Sequence, residues 1–239
     1  MTARNPVFCA LDTTEAGAAA VLAQSLAGLV GGIKLGLEFF IANGPDGVRA
    51  VAEGGPPLFL DLKLHDIPNT VAGAMRALVP LAPMMTTVHA GGGRDMLKAA
   101  AQAAAESAVR HGVPRPQVLA VTVLTSFDQP GLEACGVAGT VLDQVRRLAA
   151  LAQDSGVDGV VCSPHEVTTL RAQCGPDFTL VVPGIRPAWS AAGDQRRIMT
   201  PADALAQGAN WLVIGRPITG DPDPVLAARR IAQEMGIEP

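Results

Sequence analysis

At 239 residues, with 49% hydrophobic and 17% charged, the chain is long enough to bury a large core and has few charges to cover it. A formal net charge of -4, few aromatics and no tyrosine count against a nucleic-acid or membrane surface and against a base-stacking platform. No uncharged apolar stretch of about 18 residues occurs, and residues 1–6 lack the apolar run of a secretory leader, so a cytoplasmic protein is expected. Cys9, Cys135, Cys162 and Cys174 form no C-x-x-C pair and read as buried small hydrophobes in a reducing compartment.

In chain order, residues 7–11 read as a first strand, followed by an amphipathic stretch at 15–29. Strands at 32–35 and 58–62 come next, then a helical stretch at 70–78. A strand at 84–88 leads to a helix at 95–111, and a strand at 118–124 to a helix at 141–154. Strands at 159–162, 179–182 and 211–214 complete the series, with 201–207 helical between the last two and His165-Glu166 at a helix start. Near-continuous apolar strands alternating with helices predict an α/β fold whose parallel sheet is covered on its outside. A closed (β/α)8 barrel of TIM type and an open doubly wound sheet both fit that order.

The polar residues favour the barrel. Asp12, Lys34, Asp61 with Lys63, His89, Thr125, Ser163, Pro183 and Gly215-Arg216 each fall at or just past the end of a strand. A barrel gathers those ends around one mouth, where its active sites lie, whereas an open sheet strings them along an edge.

The most informative segment runs from Phe59 to Thr70. Side chains alternate along a strand, so Asp61 and Lys63 share the face of Phe59, while Leu60, Leu62 and Leu64 take the other and pack under helices. Asp61 and Lys63 then point into the mouth, where charges are costly unless paired with each other or with a ligand. A structural ion pair explains a bare D-x-K. With Asp66, Thr70, Lys34 and Asp12 added, a catalytic array explains it better. Ammonium groups between carboxylates suit a reaction that builds negative charge on carbon, since an ammonium can stabilise it and then deliver a proton.

At the far end, Gly184 and Arg186 follow the seventh strand and Gly215-Arg216 the eighth, where barrels often hold phosphate. Gly184 alone reads as a turn residue. Gly215 lets the backbone approach an anion, and Arg216 offers a bidentate fork. The long polar segment 186–200 reads as a lid over the mouth or as a plain surface loop. Ile67 and Pro183 are apolar residues against which a ligand's ring could wedge. His89 reads as a mouth residue or a satisfied rim histidine. Gly91-Gly92-Gly93 is no dinucleotide fingerprint, because no G-x-G-x-x-G follows.

These strings resemble the orotidine 5'-phosphate decarboxylase family. Its pattern D-x-K-x-x-D-I-P-x-T is matched in full from Asp61 to Thr70. Further matches are Leu11-Asp12, Lys34-Leu35-Gly36, Val123-Leu124-Thr125-Ser126, Cys162-Ser163, Pro183-Gly184-Ile185-Arg186-Pro187, Gly193-Asp194-Gln195-Arg196-Arg197 and Ile214-Gly215-Arg216-Pro217-Ile218-Thr219. The resemblance implies one catalytic (β/α)8-barrel domain over residues 1–239. It also implies conversion of orotidine 5'-monophosphate to uridine 5'-monophosphate and CO₂, in pyrimidine biosynthesis, with no metal or organic cofactor.

By position, Lys63 would be the proton donor, flanked by the catalytic carboxylates Asp61 and Asp66, with Lys34 in the same network. Lys34 and Asp12 would touch ribose hydroxyls and Thr125 the pyrimidine. Gln195 would bridge base and phosphate from a closing loop, and Arg186, Gly215 and Arg216 would hold the phosphate. The family's active sites lie at a homodimer interface, so Asp66 and Thr70 would serve the neighbouring site. A sister group of barrels sharing D-x-K-x-x-D decarboxylates a sugar acid phosphate with Mg²⁺ and carries a glutamate where this chain has Lys34. A non-catalytic nucleotide-binding scaffold is a further alternative, predicting UMP binding without turnover.

Overall fold

The computed structural model of the protein describes residues 5–190 and 199–237. Among them each of the eight strands is followed by one or more helices. It begins β1 (Val7–Ala10), α1 (Ala16–Ser25), β2 (Gly32–Gly36), α2 (Leu37–Ala52), β3 (Leu58–Leu64) and α3 (Pro68–Leu78). It continues β4 (Met85–His89), α4 (Gly93–His111), β5 (Gln117–Val121), α5 (Gln129–Ala134), α6 (Val141–Asp154), β6 (Gly159–Val161) and α7 (Val167–Cys174). The last elements are β7 (Thr179–Val182), α8 (Pro201–Ala206), β8 (Trp211–Ile214), α9 (Arg216–Thr219) and α10 (Pro224–Glu234).

Every neighbouring pair of strands is parallel, and β8 returns to pair with β1 through Val7 with Leu212, Phe8 with Val213 and Cys9 with Ile214. The sheet is therefore a closed eight-stranded barrel, not an open one. Alternation along each strand sorts the core into two layers. Cys9, Ile33, Leu35, Leu60, Leu62, Val118 and Val160 face outward and pack under the helices. Phe8, Ala10, Phe59, Met85, Leu119, Val181 and Val213 fill the interior. Phe8 meets Phe59 and Trp211 edge-on, with ring centroids 5.8 and 5.1 Å apart. The barrel is thus plugged with apolar side chains beneath its mouth, and polar residues at the strand ends stand on an apolar floor.

Local signals explain several boundaries. Helix α6 spans the predicted residues because Thr140 and Asp143 form a reciprocal cap: the Thr140 hydroxyl accepts the Asp143 N–H, and the Asp143 carboxylate accepts the Thr140 N–H, each at 3.1 Å. Helix α3 begins two residues before its predicted start because Pro68 takes its first turn, where a missing N–H costs nothing. Helix α2 is not among the stretches singled out from sequence, since Asn43-Gly44-Pro45 interrupts its pattern and Gly44 leaves helical geometry there.

Three expectations are corrected. Strand β5 ends at Val121 rather than at Leu124, because its neighbour β6 is only three residues long. The Thr122 side chain then takes up the Val161 carbonyl at 3.1 Å. Helix α1 stops at Ser25, short of Leu29. Cys9, Cys162 and Cys174 are buried free thiols, but Cys135 is exposed, because the short α5 ends there at the surface. No helix among the described residues is long and apolar enough to cross a membrane.

Candidate active site

A cavity of about 250 Å³ opens at the C-terminal ends of the strands. Asp12, Lys34, Asp61 and Lys63 line one side, and Pro183, Gly184, Arg186, Gly215 and Arg216 the other, with Thr125 and Val161 between them. Phe59 and Val213 form part of the floor. Two carboxylates face four cationic side chains, so this cavity carries excess positive charge although the whole chain has a formal charge of -4. Such a site concentrates field on a small anion while the outer surface does not attract polyanions.

The charged side is an alternating chain of groups. The Lys34 ammonium stands 3.5 Å from Asp12 Oδ1 and 3.6 Å from Asp61 Oδ2. Lys63 Nζ donates to both Asp61 oxygens at 2.9 Å. Thr87 on β4, fully buried, donates its hydroxyl to Asp61 Oδ1 at 2.8 Å. Burial alone would raise the Asp61 carboxyl, but the neighbouring Lys34 and Lys63 ammoniums and the Thr87 hydrogen bond outweigh it and hold the group below the usual carboxylate range. With Asp61 only 8% exposed, its ionised form depends on the fixed placement of these partners.

Lys63 is held in an unusual backbone shape. Its φ is +51°, in the left-handed region that costs a side-chain-bearing residue about 1–3 kcal/mol. The register between β3 and β4 slips here: Leu60 pairs with Thr86, and the next pair is Leu64 with Val88. Between these pairs β3 advances four residues and β4 only two, a bulge in β3 of the kind that re-aims side chains at barrel rims. The Lys63 amide, turned out of the ladder, donates to Thr87 Oγ1 at 2.8 Å.

On the opposite side, Gly184 adopts φ +77° two residues past the end of β7, as its reading as a turn residue expected. A Cβ added at Gly215 would lie 3.3 Å from Ala10 Cβ and 3.5 Å from Asp12 Oδ2, so glycine keeps this wall clear beside β1. Arg186 is buried, and its amide donates to the Met199 carbonyl at 3.0 Å, which draws the two stems of the 186–200 segment together. Near that stem the Arg230 guanidinium covers the Trp189 ring at 4.1 Å.

Of the residues expected from sequence, Lys63, Asp61, Lys34, Asp12, Thr125, Pro183, Arg186, Gly215 and Arg216 line this one cavity. Asp66 and Thr70 do not. Both are exposed, and the Asp66 carboxylate accepts the Ile67 N–H at 2.6 Å. Gln195, with residues 191–198 of the suggested lid, lies outside the described residues. His89 is a rim residue rather than a cavity one: it stacks on His65 at 5.0 Å, and its Nδ1 accepts the Gly91 N–H at 3.1 Å. Burial first, then the charges of His65 and Lys63, lower the His89 pKa. Thr87 was not singled out from sequence. The signal was alternation along β4, which puts it on the inward face two residues after the interior Met85.

Fold and site together define a (β/α)8-barrel enzyme with a cationic mouth. The family model described as Orotidine 5'-phosphate decarboxylase / HUMPS family matches residues 5–231. Orotidine 5'-phosphate decarboxylase of Paramagnetospirillum magneticum is 61% identical over 233 residues, covering 98% of this chain and 99% of that protein. Its counterpart from Rhodospirillum rubrum is 60% identical over 233 residues, covering 97% of this chain and 94% of the relative. A crystal structure of orotidine 5'-phosphate decarboxylase from Lactobacillus acidophilus superposes with a TM-score of 0.83 at 38% identity, covering 97% of this chain and 99% of that one. The chain belongs to the orotidine 5'-phosphate decarboxylase / HUMPS family.

Proposed function

We infer that this chain decarboxylates orotidine 5'-monophosphate to uridine 5'-monophosphate and CO₂, as its curated relatives are named to do. The observation that carries this reading is the alternating Asp12, Lys34, Asp61 and Lys63 array at one end of a cavity whose other end carries Arg186 and Arg216. In the reaction the bond between ring carbon C6 and the carboxylate breaks, CO₂ leaves, and the electron pair stays on C6. The Lys63 ammonium stabilises that carbanion and transfers a proton to C6, and solvent reprotonates the amine. One ammonium at about 4 Å, with an effective dielectric near 20, contributes about 4 kcal/mol, or roughly three orders of magnitude in rate.

Asp61 holds the Lys63 ammonium in place and is itself held by Lys34, and Asp12 with Lys34 binds the ribose hydroxyls. Thr125 and Pro183 meet the pyrimidine; Arg186, Gly215 and Arg216 take the phosphate, and Gln195 joins base to phosphate. The protein works as a homodimer in the cytoplasm, Asp66 and Thr70 completing the partner's site. The dimer is supported by their exposure beside an Ile67 that is 67% exposed, immediately after a motif whose first half lies inside the cavity. The cytoplasmic setting is supported by the free cysteines.

The family's description covers more than one activity, and Lys34 separates them. Its ammonium sits between two carboxylates, where a metal-dependent barrel would need an acidic ligand. The reaction accordingly runs without metal or organic cofactor. The test is the loss of orotidine 5'-monophosphate absorbance with purified protein in excess EDTA. Turnover that persists is expected; absence of turnover, or a loss that Mg²⁺ restores, overturns the reading.

A further inference from the structure

Strand β4 carries two adjacent, fully buried threonines with opposite fates. Thr86 faces outward, paired in register with Leu60 and Val118, and its hydroxyl has no hydrogen-bond partner. Thr87 faces the mouth and makes two bonds: its oxygen accepts the Lys63 N–H, and its proton goes to Asp61 Oδ1, both at 2.8 Å. A hydroxyl has one proton, and an amide can only donate. The direction of both bonds is therefore fixed, and it requires Asp61 to be the acceptor.

Those two bonds act on the two groups whose relative position defines the array. One satisfies the amide that the bulge in β3 expels from the ladder, so it holds Lys63 in its left-handed shape. The other clamps the carboxylate on which the Lys63 ammonium rests. We propose that Thr87 is a positioning residue for the reaction, fixing the Lys63 backbone and the Asp61 carboxylate as one rigid unit. A rigid unit matters because a charge misplaced by about 1 Å can cost two orders of magnitude in rate without altering how the rest of the substrate is held. The inference rests on the decarboxylase reading for its kinetic test and on geometry alone for its structural one.

Thr87→Val keeps the volume and removes both bonds. Its expected effect is a fall in kcat of about 10- to 100-fold, the size of a lost hydrogen bond to a charged group, with KM within about threefold of the parent. Thr87→Ser restores the hydroxyl and recovers most of the turnover. Thr86→Val, which removes an unpartnered buried hydroxyl, leaves turnover at the parental level. Should Thr87→Val fail to fold, Thr87→Cys, a much weaker donor of similar size, takes its place with the same expectation. The inference is overturned if Thr87→Val or Thr87→Cys turns over within twofold of the parent, or if Thr87→Ser is as slow as they are. A parent without activity defeats the decarboxylase reading alone. In that event crystal structures of the parent and Thr87→Val decide: movement of Lys63 out of its left-handed conformation supports the inference, and an unchanged Lys63 and Asp61 overturns it.

Discussion

Asp61 and Asp66 stand five positions apart on one passage from strand to helix, and their surroundings differ in almost every respect. Asp61 is 8% exposed and gripped by Lys63, Lys34 and Thr87. Asp66 is exposed, with its own neighbour's Ile67 N–H as partner. Burying a carboxylate is tolerated only when cations and donors surround it, so Asp61 belongs to a site that is largely complete within this chain. An exposed carboxylate carries no such requirement. Asp66 does not line this chain's own cavity, which is compatible with the proposed reading that it serves a partner subunit.

The comparison breaks most decisively at Lys63. Lys63→Ala removes the ammonium from the buried half and leaves Asp61 with Lys34 and Thr87. The expected outcome is a fall in kcat of about a thousandfold or more, with thermal melting showing a retained fold. Near-parental turnover of orotidine 5'-monophosphate by this variant would remove the central role given to it.

The exposed half is sharpened by mixing. Lys63→Ala and Asp66→Asn homodimers are each expected to be nearly inactive. If Asp66 serves the partner, a heterodimer of the two holds one site with both groups intact and one with neither. Unfolding and refolding the two variants together in equal amounts then restores activity toward about a quarter of the parental level, the share set by random pairing of a two-fold dimer. Failure to recover, under conditions in which parental protein refolds, assigns both residues to one chain's site.

The buried half was also the more legible one. Strand alternation and the position of strand ends put Asp61, Lys63, Lys34 and Gly215 at the mouth, because both rules are local and periodic. Thr87 follows the same alternation, but its purpose depends on the slipped register between β3 and β4, a relation between distant segments. Closure of the barrel was likewise only suggested, since it rests on residues near 7 meeting residues near 212. Asp66 looked like a member of the same array because a string records neighbourhood along the chain. The turn ahead of Pro68 carries it away from the cavity, and spacing alone does not show that.

The smallest effect expected concerns stability in acid and the buried carboxylate alone. Asp61 has its carboxyl held below the ordinary value, so its contribution to stability is complete above about pH 4, the unfolded value, and is lost as pH falls through the folded one. Asp61→Asn removes the contribution at all pH values. Its melting temperature should lie several degrees below the parent's near pH 6, as expected for a broken buried pair in a chain of this size. That gap should narrow steadily below about pH 4, because the parent is then losing what the variant never had. A gap for Asp61→Asn that stays constant into acid would mean that the paired, ionised form of this carboxylate is not what the folded barrel relies on, and the electrostatic account of the mouth would fail with it.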